Sequence, residues 1–374
     1  MRADPKTARR ILIVRLSALG DVVHVLPLLD ALRCARPDAH IGWLVEESAA
    51  SLLEGHPQID RLWVARRREA EALLRRGRLA AASGHLATLV RDLRRARYEL
   101  TIDAQCNLRS ALLARASGAP ARIGFAPPYA KERAHWLATD LVAAPSDKQL
   151  KVARNLELLR PLGVEVRGAR AVLPIPAPAR AAAAALFAGL GPQPVVALHP
   201  GVSGFGAFKG WAPERYAALA SRLKAEHGAH CLVTWGPGER PLAEQVVRDA
   251  KEAASLAPAT PSLLDLAALY DRCAAVVGGD TGPVHMAAAL GVPVVGLYGP
   301  KDPAIYAPWD ARTGTAARTV WKNVHCSPCG LRRCDDVICM PAIAVEDVTA
   351  AVRATLCETS RAAAAFDAAG GPGA

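Results

Sequence analysis

Long apolar runs are missing from this 374-residue chain. No stretch reaches the roughly 18–20 residues needed to cross a bilayer, and the run at Val292–Leu297 is interrupted by Pro293 and Gly296. The opening Met1-Arg-Ala-Asp-Pro-Lys6 leads through Arg9 and Arg10 into a short strand, which is not the layout of a secretory signal, so a cytoplasmic protein is expected. Aromatic residues make up only 5% of the chain, and none alternates with the arginines as a stacking platform. No nucleic-acid partner is therefore expected. The loop Arg15–Asp21 holds one glycine, not the three spaced glycines of a dinucleotide fingerprint, which disfavours a nicotinamide enzyme. The glycine-rich stretch after His199 lacks the Gly-Lys-Ser/Thr ending of a P-loop, so ATP hydrolysis does not follow. No repeat of solenoid period is present.

What is present suits two globular domains. Hydrophobic residues make up 51% of the chain and charged ones 22%, in a length that exceeds one ordinary core. Apolar runs at 11–15, 41–45, 61–65 and 100–102 alternate with helical periodicity at 22–36, 81–96 and 108–116, the signature of βα units around a parallel sheet. A Pro-dense stretch at 171–180 reads as a linker, after which strands at 195–199, 230–235, 275–277 and 292–297 alternate with helices at 213–226, 240–252 and 262–272. The expected division is an N-terminal domain over 1–175, a C-terminal one over 176–345, a helix over 346–358 packing back across both, and a disordered tail over 359–374.

The net charge of +11 is unevenly placed. Residues 1–175 hold 29 Lys and Arg against 18 Asp and Glu, and the rest holds 17 against 17. Much of the excess lies in arginines at amphipathic spacing between Arg66 and Arg97. They form either a solvated helical face or a surface for an anionic partner such as phospholipid head groups.

Four clusters can carry chemistry. Asp21 follows the first strand, either capping a helix or accepting a proton from an attacking hydroxyl at a cleft mouth. The loop His199–Trp211 has glycines for close backbone approach and Lys209 as a charge for phosphate oxygens. At Gly279-Asp-Thr-Gly-Pro-Val-His285 an apolar strand ends and Pro283 opens a helix, aiming free N–H groups and the positive helix end at one anion site. Thr281 and Gly282 belong to that turn, Asp280 suits sugar hydroxyls or fixes the turn, and His285 is either a phosphate donor or a packed core histidine. Cys326, Cys329, Cys334 and Cys339 have spacings that can hold zinc, but a second Cys-x-x-Cys is missing; reduced thiols are the alternative.

Taken in order, Ile11-Leu-Ile-Val-Arg-Leu-Ser-Ala-Leu-Gly-Asp21-Val-Val-His-Val-Leu-Pro27, Ile102-Asp-Ala-Gln105 with Arg109-Ser110, Arg122-Ile-Gly-Phe125, Lys209 before Trp211, and Gly279–His285 resemble the family-nine glycosyltransferases, the lipopolysaccharide heptosyltransferases and their relatives. The resemblance implies an α/β protein of GT-B architecture, with two Rossmann-like parallel-sheet domains facing a central cleft. It implies an inverting transfer of heptose from ADP-heptose to an anionic lipid-linked glycan, with neither cofactor nor catalytic metal. It makes Asp21 the general base, Lys209 the residue meeting the donor diphosphate, and Asp280, Thr281, Gly282 and His285 the donor turn; Glu239, in Trp235-Gly-Pro-Gly-Glu, matches a residue holding the donor ribose. Peripheral contact with the inner membrane face through the Arg-rich half is expected from the same acceptor. Two departures stand out: Gln149-Leu-Lys-Val-Ala-Arg-Asn155 replaces a His-Ala-Val frequent among relatives, and Cys106-Asn107 replaces Gly-Leu. A sugar-nucleotide epimerase of similar fold and a non-catalytic binder of anionic lipid or nucleic acid are the competing readings.

Overall fold

The computed structural model describes residues 4–166, 169–202, 204–329, 331 and 333–368. The chain forms two compact units, Met1–Pro174 and Ile175–Ala374. In the first, strands β1 (Arg10–Val14), β2 (His40–Glu46), β3 (Arg61–Ala65), β4 (Leu100–Asp103), β5 (Ala121–Phe125) and β6 (Asp140–Val142) form one sheet in the order β3-β2-β1-β4-β5-β6. Every neighbouring pair is parallel. Ile11, Leu12, Ile13 and Val14 are wholly buried, as a central strand covered on both faces requires.

The helix expected over 22–36 is in fact two, α1 (Leu19–Val23) and α2 (Leu26–Ala35). Pro27, which has no N–H to give Val23, forces the break and starts the second helix. Helices α3 (Glu47–Ala50), α4 (Arg67–Arg75), α5 (Leu79–Arg95), α6 (Leu108–Ala116) and α7 (Lys151–Leu156) complete the unit. Part of the arginine excess is a solvated face: Arg66 pairs with Glu69 at 3.3 Å and Arg67 with Glu71 at 2.8 Å along exposed helix surface.

The second unit repeats the plan. Helix α8 (Ala177–Leu190) precedes β7 (Val195–His199), α9 (Pro213–His227), β8 (His230–Val233), α10 (Arg240–Ala250), β9 (Ala254–Leu256), α11 (Leu263–Tyr270), β10 (Ala275–Gly279), α12 (Gly282–Ala289), β11 (Val294–Tyr298) and α13 (Pro303–Tyr306). A two-residue ladder, β12 (Trp309–Asp310) with β13 (Thr315–Ala316), leads to β14 (Arg318–Trp321). The main sheet runs β14-β11-β10-β7-β8-β9, again all parallel. Read from its β9 edge, the chain order is third, second, first, fourth, fifth, sixth, as in the first unit, so both are doubly wound Rossmann-type sheets.

Helix α14 (Val345–Ala368) packs on α9, β14, β11 and β10 of its own unit, with Val348 and Val352 wholly buried in that core. It does not stop at 358 with a disordered tail, as expected, but continues to Ala368, because the Ala-rich run from Ala362 favours helix. Residues 369–374 of the expected tail lie outside the described residues. Among the described residues, no helix is long and apolar enough to cross a membrane.

Candidate active site

In a doubly wound sheet, ligands bind beyond the carboxyl ends of the strands at the point where strand order reverses. That point lies between β1 and β4 in the first unit and between β7 and β10 in the second, where Val14 pairs with Asp103 and Gly278 with His199. The loops leaving these four strands carry Asp21, Gln105, Lys209 and Asp280. Every candidate group sits at a switch point or on the strand beside it.

Asp21 stands in the first turn of α1, but Ala18 is the N-cap and makes no side-chain bond. The capping alternative is thereby set aside. Instead, its carboxylate is held by Arg15 Nη2 at 2.7 Å and by Lys151 Nζ at 2.7 Å, with His24 Nδ1 at 3.8 Å. Burial pushes the Asp21 carboxyl up, yet the Arg15 guanidinium, the nearby His24 ring and the Lys151 ammonium outweigh it and hold the group well below its ordinary range. It is a carboxylate at neutral pH, and its side chain keeps 26% exposure, enough for a substrate hydroxyl to reach it.

The loop that presents Asp21 is fixed from β4. Gln105 Oε1 accepts from the backbone N–H groups of Leu16 and Ser17 at 2.8 and 3.2 Å, and Arg15 Nη1 donates to Ala104 O at 2.6 Å. Gln105 is tied in turn by the buried Asp103, whose Oδ1 accepts from the amides of Gln105 and Cys106 at 3.0 and 2.9 Å and whose Oδ2 accepts from Ser110 Oγ at 2.8 Å. Burial pushes the Asp103 carboxyl up to about 6, against the opposing pull of these donors. The run Ile102-Asp-Ala-Gln105 with Ser110 is thus a brace for the Asp21 loop. Arg109 serves elsewhere, donating to the buried Glu46 at 2.7 Å.

In the second unit three loops converge. Lys209 Nζ meets Asp280 Oδ2 at 3.2 Å, and His285 Nε2 meets Asp280 Oδ1 at 3.2 Å. His285 is packed, at 5% exposure, and its ring is tied to the turn through Asp280, as the core reading expects. Thr281 is the N-cap of α12 but makes no capping bond, and its Oγ1 is buried without a hydrogen-bond partner. A buried hydroxyl in that state can donate to or accept from a group that enters the turn. Gly282 opens the helix and leaves the N–H end uncovered by a side chain. Gly278 has no room for a Cβ, which would lie 2.7 Å from Val284 Cγ2 and 2.9 Å from His199 O.

Glu239 comes from the loop after β8. Its Oε2 accepts from Gly236 N at 2.8 Å and lies 3.8 Å from His199 Nε2. Burial raises the Glu239 carboxyl, opposed by the Gly236 amide, and burial lowers His199 to about 4. His199 is therefore neutral at pH 7, and its contact with Glu239 is not an ion pair. A Cβ at Gly201 would come within 2.1 Å of Glu239 Oε2, so the glycine after β7 is what lets the carboxylate lie across that loop. Trp211, adjacent to the Lys209 segment, anchors it through Nε1 to Ile343 O at 2.9 Å.

Arg15, Lys151, Asp103 and Gln105 were not singled out as site residues by sequence reasoning. Arg15 and Gln105 fall inside the quoted motifs, but the Lys151 contact spans 130 residues and has no local signal. Of the four cysteines, Cys326 is exposed, Cys334 Sγ donates to Asp336 O at 3.2 Å, and Cys339 is buried where a Cβ on Gly299 would touch it. Among the described residues no group of three His, Cys, Asp or Glu side chains is placed to hold a metal ion.

Known proteins share this plan. The family model described as Glycosyltransferase family 9 (heptosyltransferase) matches residues 86–336. Lipopolysaccharide heptosyltransferase 1 of Pseudomonas aeruginosa is 31% identical over 339 residues, covering 87% of each chain. Lipopolysaccharide heptosyltransferase 3 of Escherichia coli is 26% identical over 298 residues, covering 78% of this chain and 83% of its own. The solved structure of E. coli heptosyltransferase WaaC with ADP-2-deoxy-2-fluoro heptose superposes with a TM-score of 0.71 at 23% identity, covering 92% of this chain and 99% of that one.

Proposed function

The chain belongs to glycosyltransferase family 9, and from that premise we propose that it transfers heptose from ADP-L-glycero-D-manno-heptose to the inner core of lipopolysaccharide, on an acceptor of the Kdo-lipid A type, with inversion and without a catalytic metal. The acceptor hydroxyl gives its proton to Asp21 as its oxygen forms the new bond to the anomeric carbon. The bond from that carbon to the donor's phosphate oxygen breaks, and its electron pair leaves with ADP. Lys209, the N–H groups at the start of α12 and the Thr281 hydroxyl stabilise the charge that develops on the diphosphate. Asp280, already shared between Lys209 and His285, orients the turn and faces the sugar, while Glu239 takes ribose hydroxyls.

The observation that carries this reading is Thr281 Oγ1, buried without a partner at a helix N-terminus beside Lys209 and at the switch point of the second sheet. Such a site suits a diphosphate. The Arg15 and Lys151 cations around Asp21 suit an acceptor that carries carboxylate and phosphate groups near the reacting hydroxyl. The charge excess of residues 1–175 favours a peripheral position on an anionic membrane face.

The test is Asp21→Ala, assayed with ADP-heptose and Kdo-lipid A. Transfer is expected to fall by at least about 10²–10⁴-fold, the usual contribution of a positioned base, while ADP affinity stays within twofold. Turnover near that of the parent removes Asp21 as the base, and heptose conversion without acceptor favours the epimerase reading.

A further inference from the structure

The first unit contains a groove of about 1410 Å³ that the reaction above does not use. Its walls come from β3, α4, α5 and α6, and it is larger than the roughly 300–1,000 Å³ typical of small-molecule pockets. Trp63, Leu89 and Ala70 form part of the lining. Leu86, Leu108 and Leu112, at 54%, 43% and 51% exposure, also line it, so apolar side chains that a soluble surface does not ordinarily gather face one concavity.

The rim has the opposite character. Arg66, Arg67 and Arg109 stand there at 65%, 45% and 40% exposure. Three acids also face the groove, of which Glu46 is taken up by Arg109 at 2.7 Å and Arg67 at 3.4 Å, while Asp92 and Glu132 lie further along the wall. A peptide laid along the leucines would bury backbone N–H and C=O groups there, at a cost that Ser83, His85 and Thr88, the uncharged polar groups of the lining, could offset only in part. A hydrocarbon chain has no such groups. An anionic head at one end would meet the arginines. The groove also reaches Leu16, whose N–H is held by Gln105 in the loop that presents Asp21.

We propose that this groove seats an acyl chain of the anionic lipid acceptor, with a phosphate at the arginine rim. The inference rests on the acceptor class proposed above and adds a chain-binding subsite to it.

The test uses the full chain and calorimetric titration with octyl phosphate, butyl phosphate and inorganic phosphate, all below micelle formation. Each buried methylene tightens binding about fourfold, so octyl phosphate should bind on the order of 10²-fold more tightly than butyl phosphate. Leu112→Trp, which fills the groove, and Leu86→Asp, which makes it polar, should each abolish that chain-length increment and leave butyl phosphate unchanged. Both positions are half exposed, so neither substitution threatens the core. Equal affinity for the two alkyl phosphates overturns the proposal, as does an increment untouched by either variant. Vesicles of phosphatidylcholine with phosphatidylglycerol supply the last arm: if Leu86→Asp weakens vesicle binding while no chain-length increment exists in the parent, the leucines face a bilayer surface and hold no chain. Because no donor is present, failure here is distinct from failure of heptose transfer, which is read with ADP-heptose.

Discussion

Asp103→Asn tests whether the brace behind Asp21 works through geometry or through charge. Asp103 is 5% exposed and its carboxyl is pushed up to about 6 from an ordinary 3.8, chiefly by burial. A folded pKa above the unfolded one means that the proton favours the folded state, so this group's stabilising contribution is full below about 3.8 and is lost as pH rises through about 6. The gap of about 2.2 units corresponds to about 3 kcal/mol, at 1.36 kcal/mol per unit. Roughly a third of that is lost by about pH 4.5, leaving about 2 kcal/mol to go before about pH 7.5.

Asparagine keeps the shape and carries no charge. Its Oδ1 accepts from the Gln105 and Cys106 amides, and its Nδ2 faces Ser110 Oγ, whose proton, given to Asp103 in the parent, can turn to Asn107 O at 3.0 Å and leave a lone pair to accept from the amide. The variant should therefore gain about 2 kcal/mol relative to the parent between about pH 4.5 and about pH 7.5, or about 4–8 °C in melting temperature for a unit of this size. Scanning calorimetry of both proteins at the two pH values measures this, and the difference cancels every other titrating group. ADP, proposed to bind the second unit, raises only that unit's transition and so identifies the other. Transfer at pH 8 should stay within a few-fold of the parent. A melting difference that does not change with pH would refute the buried-charge account, and intact stability with lost transfer would show that the negative charge itself is required.

Two further substitutions probe the two half-sites. Lys151→Gln removes one of the cations that hold Asp21 below its ordinary range against burial, so Asp21 protonates at higher pH and the acid limb of the kcat/KM profile should move up; an unmoved limb means that Lys151 does not act on the base. Gly201→Ala places a Cβ 2.1 Å from Glu239 Oε2 and must displace that carboxylate, so ADP binding should weaken by about 10- to 100-fold, the loss of one charge-assisted hydrogen bond, with unchanged far-ultraviolet dichroism. Unaltered ADP affinity takes Glu239 out of the ribose site.

The sequence made the fold legible because buried parallel strands read as uninterrupted apolar runs. Arg61–Ala65 and Val195–His199 were bounded to the residue for that reason. Strands β6, β9 and β14, at sheet edges, and the interior β5, whose run is broken by Arg122 and Gly124, carry no such run and were missed. Asp21 and the Asp280 turn were found for a related reason: each lies in the segment that leaves a strand whose hydrophobicity announces it. The distant groups around Asp21 were not visible, since Lys151 arrives from 130 residues away and Asp103 reaches the loop through Gln105.

That division has a physical cause with a consequence for acceptor choice. A strand and the loop leaving it are adjacent in sequence and in space, so the groups that bond the reacting atoms can be read locally. The groups that tune them come from other strands and helices, and their contacts exist only after folding. Lys151 belongs to the second kind, and it lies in the Gln149–Asn155 stretch that departs from the His-Ala-Val frequent among relatives. A cation 2.7 Å from Asp21 makes the carboxylate a weaker base until an anion draws the ammonium away. An acceptor carrying a carboxylate or phosphate beside its hydroxyl supplies such an anion, and a neutral sugar does not. With Asp21 as the proposed base, acceptor charge and base strength should be coupled through this lysine, so discrimination for an anionic acceptor should appear in kcat as well as in KM and should shrink in kcat when Lys151 is replaced by Gln.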